Sequence, residues 1–308
     1  MTHLFIINPA AGSRDQTVDY TRKIREVCDR EGLSYRIHVS AGPGDCRAVA
    51  RQAAESGEEY RIYACGGDGT LNEVAAGAAG FRNVAVTHFA GGSGNDFVKI
   101  FSRPEDFFHL ERLMEPEEAT FDMIRCNEDL ALNIVSVGLD ARIGTDVASY
   151  KRIPLLQGFR AYVASAVVNV IRGIGDHFIV EVNGERIDSR QTMVCLCNGR
   201  FYGGGFNPVP EADPADGLMD VLLVKEVTRL QVPGVVGKYK NGRYRELPDL
   251  VRHLRTDRIK IYCDSPAAIN LDGELRRSDT LDISVEKKAL RFFYPKGLTW
   301  AAPVGSKV

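Results

Sequence analysis

A glycine-rich segment that follows an apolar run carries the strongest chemical signal in the sequence. Residues 66–74 read Gly-Gly-Asp-Gly-Thr-Leu-Asn-Glu-Val, directly after the apolar run Tyr60–Cys65. Glycines let a backbone turn tightly and approach an anion closely, and the start of the following helix presents unpaired N–H groups to a phosphate. A plain strand-to-helix turn would not require the polar side chains of Asp68 and Asn72. We therefore interpret the segment as a phosphate-binding loop, although it matches neither GxxxxGK[ST] nor GxGxxG.

Two further turns rich in small residues follow other predicted strands. Residues 90–97 read Ala-Gly-Gly-Ser-Gly-Asn-Asp-Phe, and residues 8–12 read Asn-Pro-Ala-Ala-Gly. The carboxyl ends of parallel strands meet at one edge of a sheet, where the ligands of such folds bind. Three loops in successive strand-to-helix positions predict a phosphate or ribose site there, with Asp68 placed to hold a magnesium ion directly or through water. Asp96 can either hold a metal or order its own loop.

The first 125 residues alternate short β-like runs with helical patterns, whereas later residues are mostly β-like. Such alternation predicts a parallel sheet covered by helices over residues 1–125. The expected elements are strands His3–Asn8, Ser34–Val39, Tyr60–Cys65 and Val84–His88 with helices Thr17–Arg30, Asp45–Glu55 and Thr70–Ala79. The later β-like runs are Leu130–Val137, His177–Val182, Thr192–Cys197, Met219–Val224, Arg258–Cys263, Ala267–Leu271 and Leu281–Val285. They predict a second, mostly antiparallel β domain.

Length and charge limit the classes of function. A chain of 308 residues is typical of two domains. The formal net charge is −2, from 39 basic and 41 acidic residues, so the chain as a whole is not attracted to nucleic acid or anionic lipid. We expect no nucleic-acid partner. Two stretches are locally basic, Lys225–Lys260 and Arg142–Arg172, and each is either solvated surface or a contact to an anionic membrane.

Cysteine usage and apolar stretches favour a cytoplasmic protein without a membrane span. The seven cysteines form no paired CxxC or Cys/His pattern typical of zinc, which fits a reducing compartment. The N-terminus has no basic leader typical of a signal peptide. The longest apolar stretch, Ala161–Ile171, has roughly half the length needed to cross a bilayer. It belongs to a predicted helix, Ile153–Ile171, whose apolar face either packs in the core or contacts lipid.

The three small-residue segments also carry a family resemblance. NPAAG, GGDGTLNEV and GGSGNDF resemble the catalytic domain of the diacylglycerol kinase and sphingosine kinase superfamily. GGDGT itself is shared with NAD kinases, but the longer GGDGTxNEV form is quite specific. The resemblance continues in the family's order to about residue 275. Its further motifs are Asn133–Ala141 (NIVSVGLDA), Asn198–Gly199, Tyr202–Gly205, Ala215–Asp220 and Asn270–Glu274.

The resemblance implies a two-domain lipid kinase that uses ATP and Mg²⁺ to phosphorylate the hydroxyl of diacylglycerol or a related lipid alcohol. It implies an α/β nucleotide-binding domain with a parallel sheet at 1–125 and a mostly antiparallel, lipid-binding β domain at 126–287. The last segment, 288–308, would return to the first domain. A lipid substrate implies transient contact with a membrane surface and a cytoplasmic, peripheral location. Family members are often dimers, so a homodimer is open, but the sequence itself does not show the oligomeric state.

The resemblance also implies three groups of site residues. Asp272 and Glu274 form an acidic pair, one member of which takes the proton of the attacking hydroxyl, and Asp68 lies at the catalytic magnesium. Alone, Asp272 would also suit an Asp-Gly hairpin turn. The groups implied to hold a structural magnesium ion are the Asp216 side chain and the backbone carbonyls of Asp213 and Leu218. The residues implied to contact the nucleotide are Asn8, Pro9, Ala10, Ala11, Gly12, Ser40, Gly66, Gly67, Asp68, Gly69, Thr70, Leu71, Asn72, Gly92, Ser93 and Asn95.

Some positions depart from the family pattern without removing a group that the chemistry needs. Ala90 stands where proline is usual, and Ser93 replaces a common threonine but keeps the hydroxyl. Ser13 stands where a basic residue is frequent, which leaves Arg14 as a substitute phosphate contact. Met219 is a mild change beside the implied structural metal.

Two other functions remain open at this point. An NAD kinase is favoured by GGDGT alone, whereas GGSGNDF and the LDGE segment favour a lipid kinase. A regulatory protein that binds nucleotide or lipid without turnover is also open. The presence of Asp68, Asp272 and Glu274 argues against this regulator.

Overall fold

The N-terminal part of the protein is a parallel sheet covered by helices. The computed structural model describes residues 1–12, 14–150, 168–169 and 173–300. The elements of this part are β1 (Thr2–Ile7), α1 (Thr17–Arg30), β2 (Tyr35–Val39), α2 (Asp45–Glu55), β3 (Tyr60–Gly66), α3 (Asp68–Ala78) and β4 (Val84–Ala90). β1 pairs in parallel with β2 and β3, and β3 pairs in parallel with β4. The four strands therefore direct their carboxyl ends, and the loops that follow, to one edge of the sheet.

Burial explains why these segments take these conformations. β4 is buried at every position and reads as a continuous, largely apolar run, as strands covered on both faces do. α1 buries Tyr20, Ile24, Val27 and Cys28, a spacing that places them on one face of a helix. The helices therefore cover the sheet with apolar faces and leave the loop edge open.

Antiparallel strands form most of the rest of the described chain. A short connection, with 3₁₀ turns at Phe97–Ile100 and Pro104–Phe108 and the helix α4 (Leu110–Met114), leads into it. The elements that follow are β5 (Pro116–Cys126), β6 (Asp129–Ala131), β7 (Ile134–Gly138), α5 (Leu139–Tyr150), β8 (Asp176–Val182), β9 (Glu185–Cys197), β10 (Met219–Lys225), α6 (Val232–Lys240), a 3₁₀ turn at Tyr244–Glu246, β11 (Val251–Thr256), β12 (Arg258–Leu271) and β13 (Glu274–Pro295). β8, β9, β10 and β12 pack an apolar cluster that includes Phe178, Leu196 and Ile261.

β13 connects the two parts of the protein. Its first half pairs with β12, and its second half, from Ile283 to Pro295, pairs with β5, with a register shift between Glu286 and Leu290. After the shift, Phe292 lies beside Val86 of β4 in parallel. The strand order β11-β10-β9-β7-β12-β13-β4-β3-β1-β2 therefore runs through β13 without interruption. Of the segment expected to return, 288–308, the described part up to Pro295 continues β13.

The second half differs in detail from the sequence-based expectation. Leu130–Val137 is divided between β6 and β7, whereas two runs expected separately form the single strand β12, which carries its own register shift. β5 and β11 were not expected. β5 begins with the charged Glu117 and Glu118, and β11 alternates apolar and basic residues, so neither shows an apolar run. The expected helix 153–171 lies almost entirely outside the described residues. Within the described part of the chain, no helix is both long and apolar enough to cross a membrane.

Candidate active site

Three loops meet at the carboxyl edge of the N-terminal sheet. The carbonyl of Gly66 accepts hydrogen bonds from the backbone N–H groups of Gly91 (2.8 Å) and Gly92 (3.1 Å). The Asn8 side-chain amide donates to the Thr70 hydroxyl over 3.0 Å. The loops that follow β1, β3 and β4, which the sequence predicted to converge, are therefore in direct contact.

Glycine is required where two of these loops cross. A Cβ atom on Gly92 would stand 2.5 Å from the Cα atom of Gly67, closer than real atoms approach. Because the obstacle is backbone, a side chain at this position would push the loops apart. Asn95, whose φ of +50° is left-handed, closes the second loop by donating to the Gly92 carbonyl over 2.8 Å and accepting from the Gly92 N–H over 3.1 Å.

A buried histidine stabilises the contact between the loops after β3 and β4. The sequence did not indicate this role. Nε2 of His88 lies 2.8 Å from the Gly66 carbonyl oxygen, so this nitrogen carries the proton and donates. Burial lowers the pKa of His88 to about 4. His88 is therefore neutral at physiological pH and serves as a fixed donor. The only signal in the sequence is a histidine inside an otherwise apolar strand.

Asp68 and Asp96 bring two carboxylates together at the start of α3. Oδ1 of Asp68 accepts the backbone N–H of Asp96. Burial raises the pKa of Asp68, and the nearby Asp96 carboxylate raises it further, while backbone donors from 95–97 lower it. A Cβ on Gly94 would stand 2.4 Å from Oδ2 of Asp68, so the glycine keeps the space beside that oxygen clear. This corner of the site thus carries concentrated negative charge.

Asp96 orders its own loop, one of the two roles open to it from the sequence. Its Oδ1 lies 2.5 Å from Nζ of Lys99 in an ion pair, and its Oδ2 accepts the backbone N–H of Gly204 over 2.7 Å. Gly204 belongs to the second half of the chain. Asp96 therefore joins the two walls of the site.

Asp272 reaches the site from the turn between β12 and β13. Its Oδ2 accepts the N–H groups of Leu132 (2.7 Å) and Asn133 (2.8 Å), and its Oδ1 accepts the N–H of Ile134 (2.7 Å). Burial raises its pKa from 3.8 to about 7, the three N–H donors oppose the rise, and the charge of Asp68 adds to it. Its backbone φ of +50° is left-handed. Asp272 is thus a rigidly held carboxylate that titrates close to neutral pH.

A cavity of about 890 Å³ lies between these groups and is lined by both parts of the protein. Asp68, Ser93 and Gly94 line it on the N-terminal side, and Asp272 and Asn133 line it on the other. Six further lining residues had no role predicted from the sequence. They are Asp140, Tyr202, Phe206, Lys240, Asn270 and Leu275. The cavity is therefore lined both by carboxylates and by larger side chains.

Asp140 is a second carboxylate of the C-terminal wall and is half-buried. Its Oδ2 accepts the Ser136 hydroxyl over 2.7 Å. Burial raises its pKa, while hydrogen bonds from Ser136, Asn270 and Tyr202 oppose the rise. The sequence placed Asp140 in a family motif without a role, because nothing in a linear motif shows that its carboxylate faces the cavity.

Glu274 lies apart from the cavity lining. Its Oε2 is 2.8 Å from a guanidinium nitrogen of Arg276, which in turn pairs with Asp129 over 2.9 Å. Of the acidic pair predicted from the sequence, the structure directs only Asp272 into the cavity.

The remaining residues predicted to bind nucleotide lie on the same edge. Ser40 follows β2, and its hydroxyl donates to the Gly42 carbonyl over 3.1 Å. Leu71 and Asn72 line the cavity, and Oδ1 of Asn72 accepts the Leu132 N–H over 3.1 Å. Those outside the cavity lining are Asn8, Pro9, Ala10, Ala11, Gly12, Ser40, Gly66, Gly67, Gly69, Thr70, Gly92 and Asn95.

The loop predicted to hold a structural magnesium ion is stabilised by protein groups. Oδ1 of Asp216 accepts the Leu218 N–H over 3.0 Å, and its Oδ2 pairs with Arg255. Oδ1 of Asp213 accepts the Ala215 N–H over 3.0 Å. Among the described residues, no group of three or more acidic, histidine or cysteine side chains is arranged to hold a metal. Both oxygens of Asp216 are thus bonded to protein groups, and the structural magnesium ion at this loop stays a prediction.

The surroundings of Asp68 suit a catalytic magnesium ion. Magnesium in kinases is held by one or two carboxylates together with substrate phosphates, rather than by a complete protein cage. Asp68 offers Oδ2 on the side kept clear by Gly94, with the Asp96 carboxylate close by. The donor set is therefore chemically suitable for a magnesium ion that arrives with a nucleotide.

Two family models cover almost the whole described fold. Residues 2–126 match the diacylglycerol kinase catalytic domain, and residues 133–294, more than half of the chain, match the YegS C-terminal NAD kinase beta sandwich-like domain. The chain belongs to the diacylglycerol kinase-like family. The boundary between the two matched segments falls between β5 and β7.

Individual relatives agree with the family. A protein of Staphylococcus carnosus (strain TM300) named "Putative lipid kinase" is 24% identical over 205 residues, which is 66% of each chain. A "Putative lipid kinase" of Staphylococcus aureus (strain JH9) is 24% identical over 202 residues, or 65% of this chain and 66% of that one. The match thus spans just under two thirds of the length of these relatives.

Solved structures agree on the fold. A crystal structure of a diacylglycerol kinase from Bacillus anthracis str. Sterne superposes with a TM-score of 0.68 at 17% identity, covering 96% of this chain and 97% of the other. A second chain from that strain gives a TM-score of 0.71 at 19% identity with the same coverage. The predicted two-domain fold, with an N-terminal α/β domain and a C-terminal antiparallel β domain, is confirmed.

Proposed function

We propose that this protein is an ATP-dependent lipid kinase that phosphorylates the hydroxyl of diacylglycerol or a related lipid alcohol. The observation that carries the proposal is the pair Asp68 and Asp272, which belong to different domains and face one cavity beside the glycine loops. Phosphoryl transfer needs an aligned phosphate, compensation of its charge, and a group that accepts the hydroxyl proton. The cavity offers a candidate for each of these.

The glycine loops are suited to hold the phosphates of ATP. The start of α3 presents backbone N–H groups and the positive end of the helix dipole to the cavity. Gly69 leaves open space beside the start of α3, and Ser93 adds an exposed hydroxyl. A magnesium ion, held by Asp68 and the phosphates, would neutralise phosphate charge. The alignment itself comes from the contacts between the three loops.

Asp272 is suited to take the proton from the lipid hydroxyl. Its pKa of about 7 is close to the pH at which a general base combines availability with basicity. Three backbone N–H donors, from Leu132, Asn133 and Ile134, hold the carboxylate in one orientation. Glu274, bonded to Arg276, would support the turn without receiving the proton.

The C-terminal wall is suited to receive the lipid from a membrane surface. Phe206 and Leu275 give the cavity apolar surface, and Lys240 of α6 lines it as well. The same helix exposes 44% of Val236, and Leu230 just before it is 94% exposed. Apolar residues exposed on and just before a helix that reaches the cavity favour a transient, peripheral contact of the cytoplasmic protein with lipid.

The basic stretches contribute little free charge to such a contact. Within Lys225–Lys260, most cations pair with acids, such as Arg252 with Glu185 over 2.6 Å and Arg258 with Asp282 over 3.1 Å. Most of Arg142–Arg172 lies outside the described residues. We therefore assign the membrane contact to the apolar side chains near α6.

Transfer of labelled phosphate from ATP to a panel of acceptors tests the function. The panel contains diacylglycerol, monoacylglycerol, sphingosine and NAD, each with Mg²⁺ and with a chelator as control. We expect transfer to a lipid alcohol only with Mg²⁺. Transfer to NAD alone would support the NAD kinase that the GGDGT motif allows, and nucleotide binding without transfer to any acceptor would support a regulator.

A further inference from the structure

A second cavity, of about 710 Å³, lies at the bend where β13 passes from one domain to the other. Its walls come from α2, the loop between α3 and β4, β5 and β13, and none of its lining residues lines the candidate active site. Its basic lining residues are Arg47, Arg51, Arg82, Arg125, Lys287, Lys288 and Arg291, against the acidic residues Glu128 and Glu286. Nothing in the proposed kinase mechanism uses this basic cavity.

Ion pairs hold several of these arginines in place. Arg125 pairs with Glu286 over 2.5 Å, and Arg291 pairs with Glu118 over 2.6 Å. Arg51 lies over the ring of Phe81, with 5.0 Å between the guanidinium carbon and the ring centroid. Side chains fixed in this way lose less conformational entropy when a ligand binds.

Two cations of the basic cavity lack an acidic partner. Arg82 and Lys288 form no ion pair with any of the described residues, although both line the cavity. Arg82 is in the loop before β4, and Lys288 is at the bend of β13. A hydrogen bond of 2.8 Å from the Gly80 N–H to the Ala289 carbonyl joins that loop to that bend. The two uncompensated charges are therefore carried by segments that are bonded to each other.

The backbone around Lys288 is held in an uncommon conformation. Its φ is +52°, a left-handed value at which glycine or asparagine is usual. Its N–H donates over 2.6 Å to Oδ1 of the buried Asp122. A lysine kept at such a position costs some stability. A ligand that uses its charge would account for a lysine there.

We propose that the basic cavity binds a phosphomonoester. A phosphomonoester carries a charge between about −1.5 and −2 near neutral pH and accepts several hydrogen bonds. It would match the two uncompensated cations and the guanidinium groups around them, since arginine forks suit phosphate oxygens. The volume is in the range of about 300–1,000 Å³ that small-molecule sites occupy. Phe81, Leu130 and Ala289 add apolar lining for the group that the phosphate is attached to.

Glycerol 3-phosphate tests the soluble form of this ligand, and its binding is measured by isothermal titration calorimetry. A non-hydrolysable ATP analogue with Mg²⁺ is present throughout, so that the glycine loops are occupied. We expect Arg82→Gln and Lys288→Asn each to weaken binding by about tenfold, because each removes a charge-assisted hydrogen bond. Asparagine tolerates the left-handed backbone at this position. The control Arg22→Gln, on the exposed face of α1, should leave binding unchanged.

Vesicles distinguish a lipid source of the phosphate from a soluble one. Co-sedimentation is measured with phosphatidylcholine vesicles that either contain or lack phosphatidic acid, whose headgroup is a phosphomonoester. Binding to phosphatidic acid that both variants lose, without binding of glycerol 3-phosphate, would assign the site to a lipid headgroup. Binding of glycerol 3-phosphate that both variants lose would assign it to soluble phosphomonoesters.

Two results would overturn the proposal. One is a wild-type protein that binds neither probe, and the other is a pair of variants that bind as tightly as the wild type. Thermal melting of each variant checks folding, and Arg82→Gln carries the test alone if Lys288→Asn unfolds, because Arg82 is exposed. The measurement is of binding, so it is independent of whether the protein is a lipid kinase.

Discussion

Three carboxylates close to one another have three different environments. Asp272 is bonded to three backbone N–H groups and titrates at about pH 7. Asp68 is buried beside Asp96, which raises its pKa. Glu274 is paired with Arg276. Such different environments are consistent with the three tasks proposed for these carboxyl groups, which are general base, magnesium ligand and support of the turn.

Replacing Asp272 with asparagine should remove most of the kinase rate. A general base contributes about 10²–10⁴-fold, so we expect kcat to fall by at least about a hundredfold while nucleotide still binds. Glu274→Gln is the matched comparison, and it should cost less than about tenfold because Glu274 is not in the cavity lining. Steady-state kinetics with a lipid alcohol and a nucleotide-binding assay measure both effects. A larger loss from Glu274→Gln than from Asp272→Asn would assign the base to Glu274.

The pH profile gives an independent check of the same residue. The base must be deprotonated, and the pKa of Asp272 is raised to about 7. The value of kcat/KM should therefore fall as the pH drops below about 7, by roughly tenfold per pH unit. In Asp272→Asn this limb should disappear from the profile. Because asparagine turns an N–H₂ group toward one of three backbone donors, thermal melting must accompany the kinetics.

The glycine loops depend on contacts between loops that are far apart in sequence. The carbonyl of Gly66, the last residue of β3, accepts hydrogen bonds from Gly91 and Gly92 after β4 and from His88 inside β4. The sequence shows that each turn is glycine-rich. It does not show that Gly92 passes against Gly67 with no space for a methyl group.

Gly92→Ala should disturb the site through this crossing. The added Cβ would stand 2.5 Å from the Gly67 Cα atom. Because Gly67 presents backbone here, the clash is relieved only if the two loops move apart. We expect a loss of about 1–3 kcal/mol in the free energy of unfolding, together with weaker nucleotide binding. The control Gly234→Ala in α6 places its Cβ in open space and should be neutral or slightly stabilising, since alanine favours a helix. Urea denaturation and nucleotide titration measure the two effects, and equal behaviour of both variants would contradict the expected contact.

One buried carboxylate connects distant parts of the protein. Asp122 of β5 accepts the N–H of Gly217 over 2.7 Å and the N–H of Lys288 over 2.6 Å. Its backbone N–H donates a hydrogen bond to the Pro214 carbonyl oxygen over 2.7 Å. It therefore anchors the loop around Asp216 and the bend of β13 at the same time. The sequence did not indicate this role, because its three partners lie about ninety and a hundred and sixty residues away.

Asp122→Asn should destabilise the protein as a whole. The asparagine nitrogen cannot accept a hydrogen bond, so one buried N–H loses its partner at a cost of about 1–3 kcal/mol. Asp257→Asn is the control, because Asp257 and its partner Lys287 are more than half exposed and such pairs contribute about 1 kcal/mol at most. Urea denaturation of both variants measures the difference. If the two lose the same amount, Asp122 does not connect these segments energetically.

Local pattern was sufficient for the N-terminal half. The helices Thr17–Arg30 and Asp45–Glu55 have the predicted bounds, and the strands there differ by one or two residues, because buried parallel strands and amphipathic helices leave direct signatures in the sequence. β5 and β11 leave none, since their pairing depends on neighbours from other parts of the chain. Strand pairing in antiparallel domains is largely such a non-local property.

Residue types and their order predicted the glycine loops, the family and an acidic motif near the end of the chain. Each of these depends on a short stretch of backbone and its side chains. Only the folded protein shows which carboxylate faces the cavity and how its pKa is raised. The same is true of the cations that lie together at the bend of β13. Burial, charge proximity and hydrogen bonding act between residues that the fold brings together, and the sequence keeps no record of those distances.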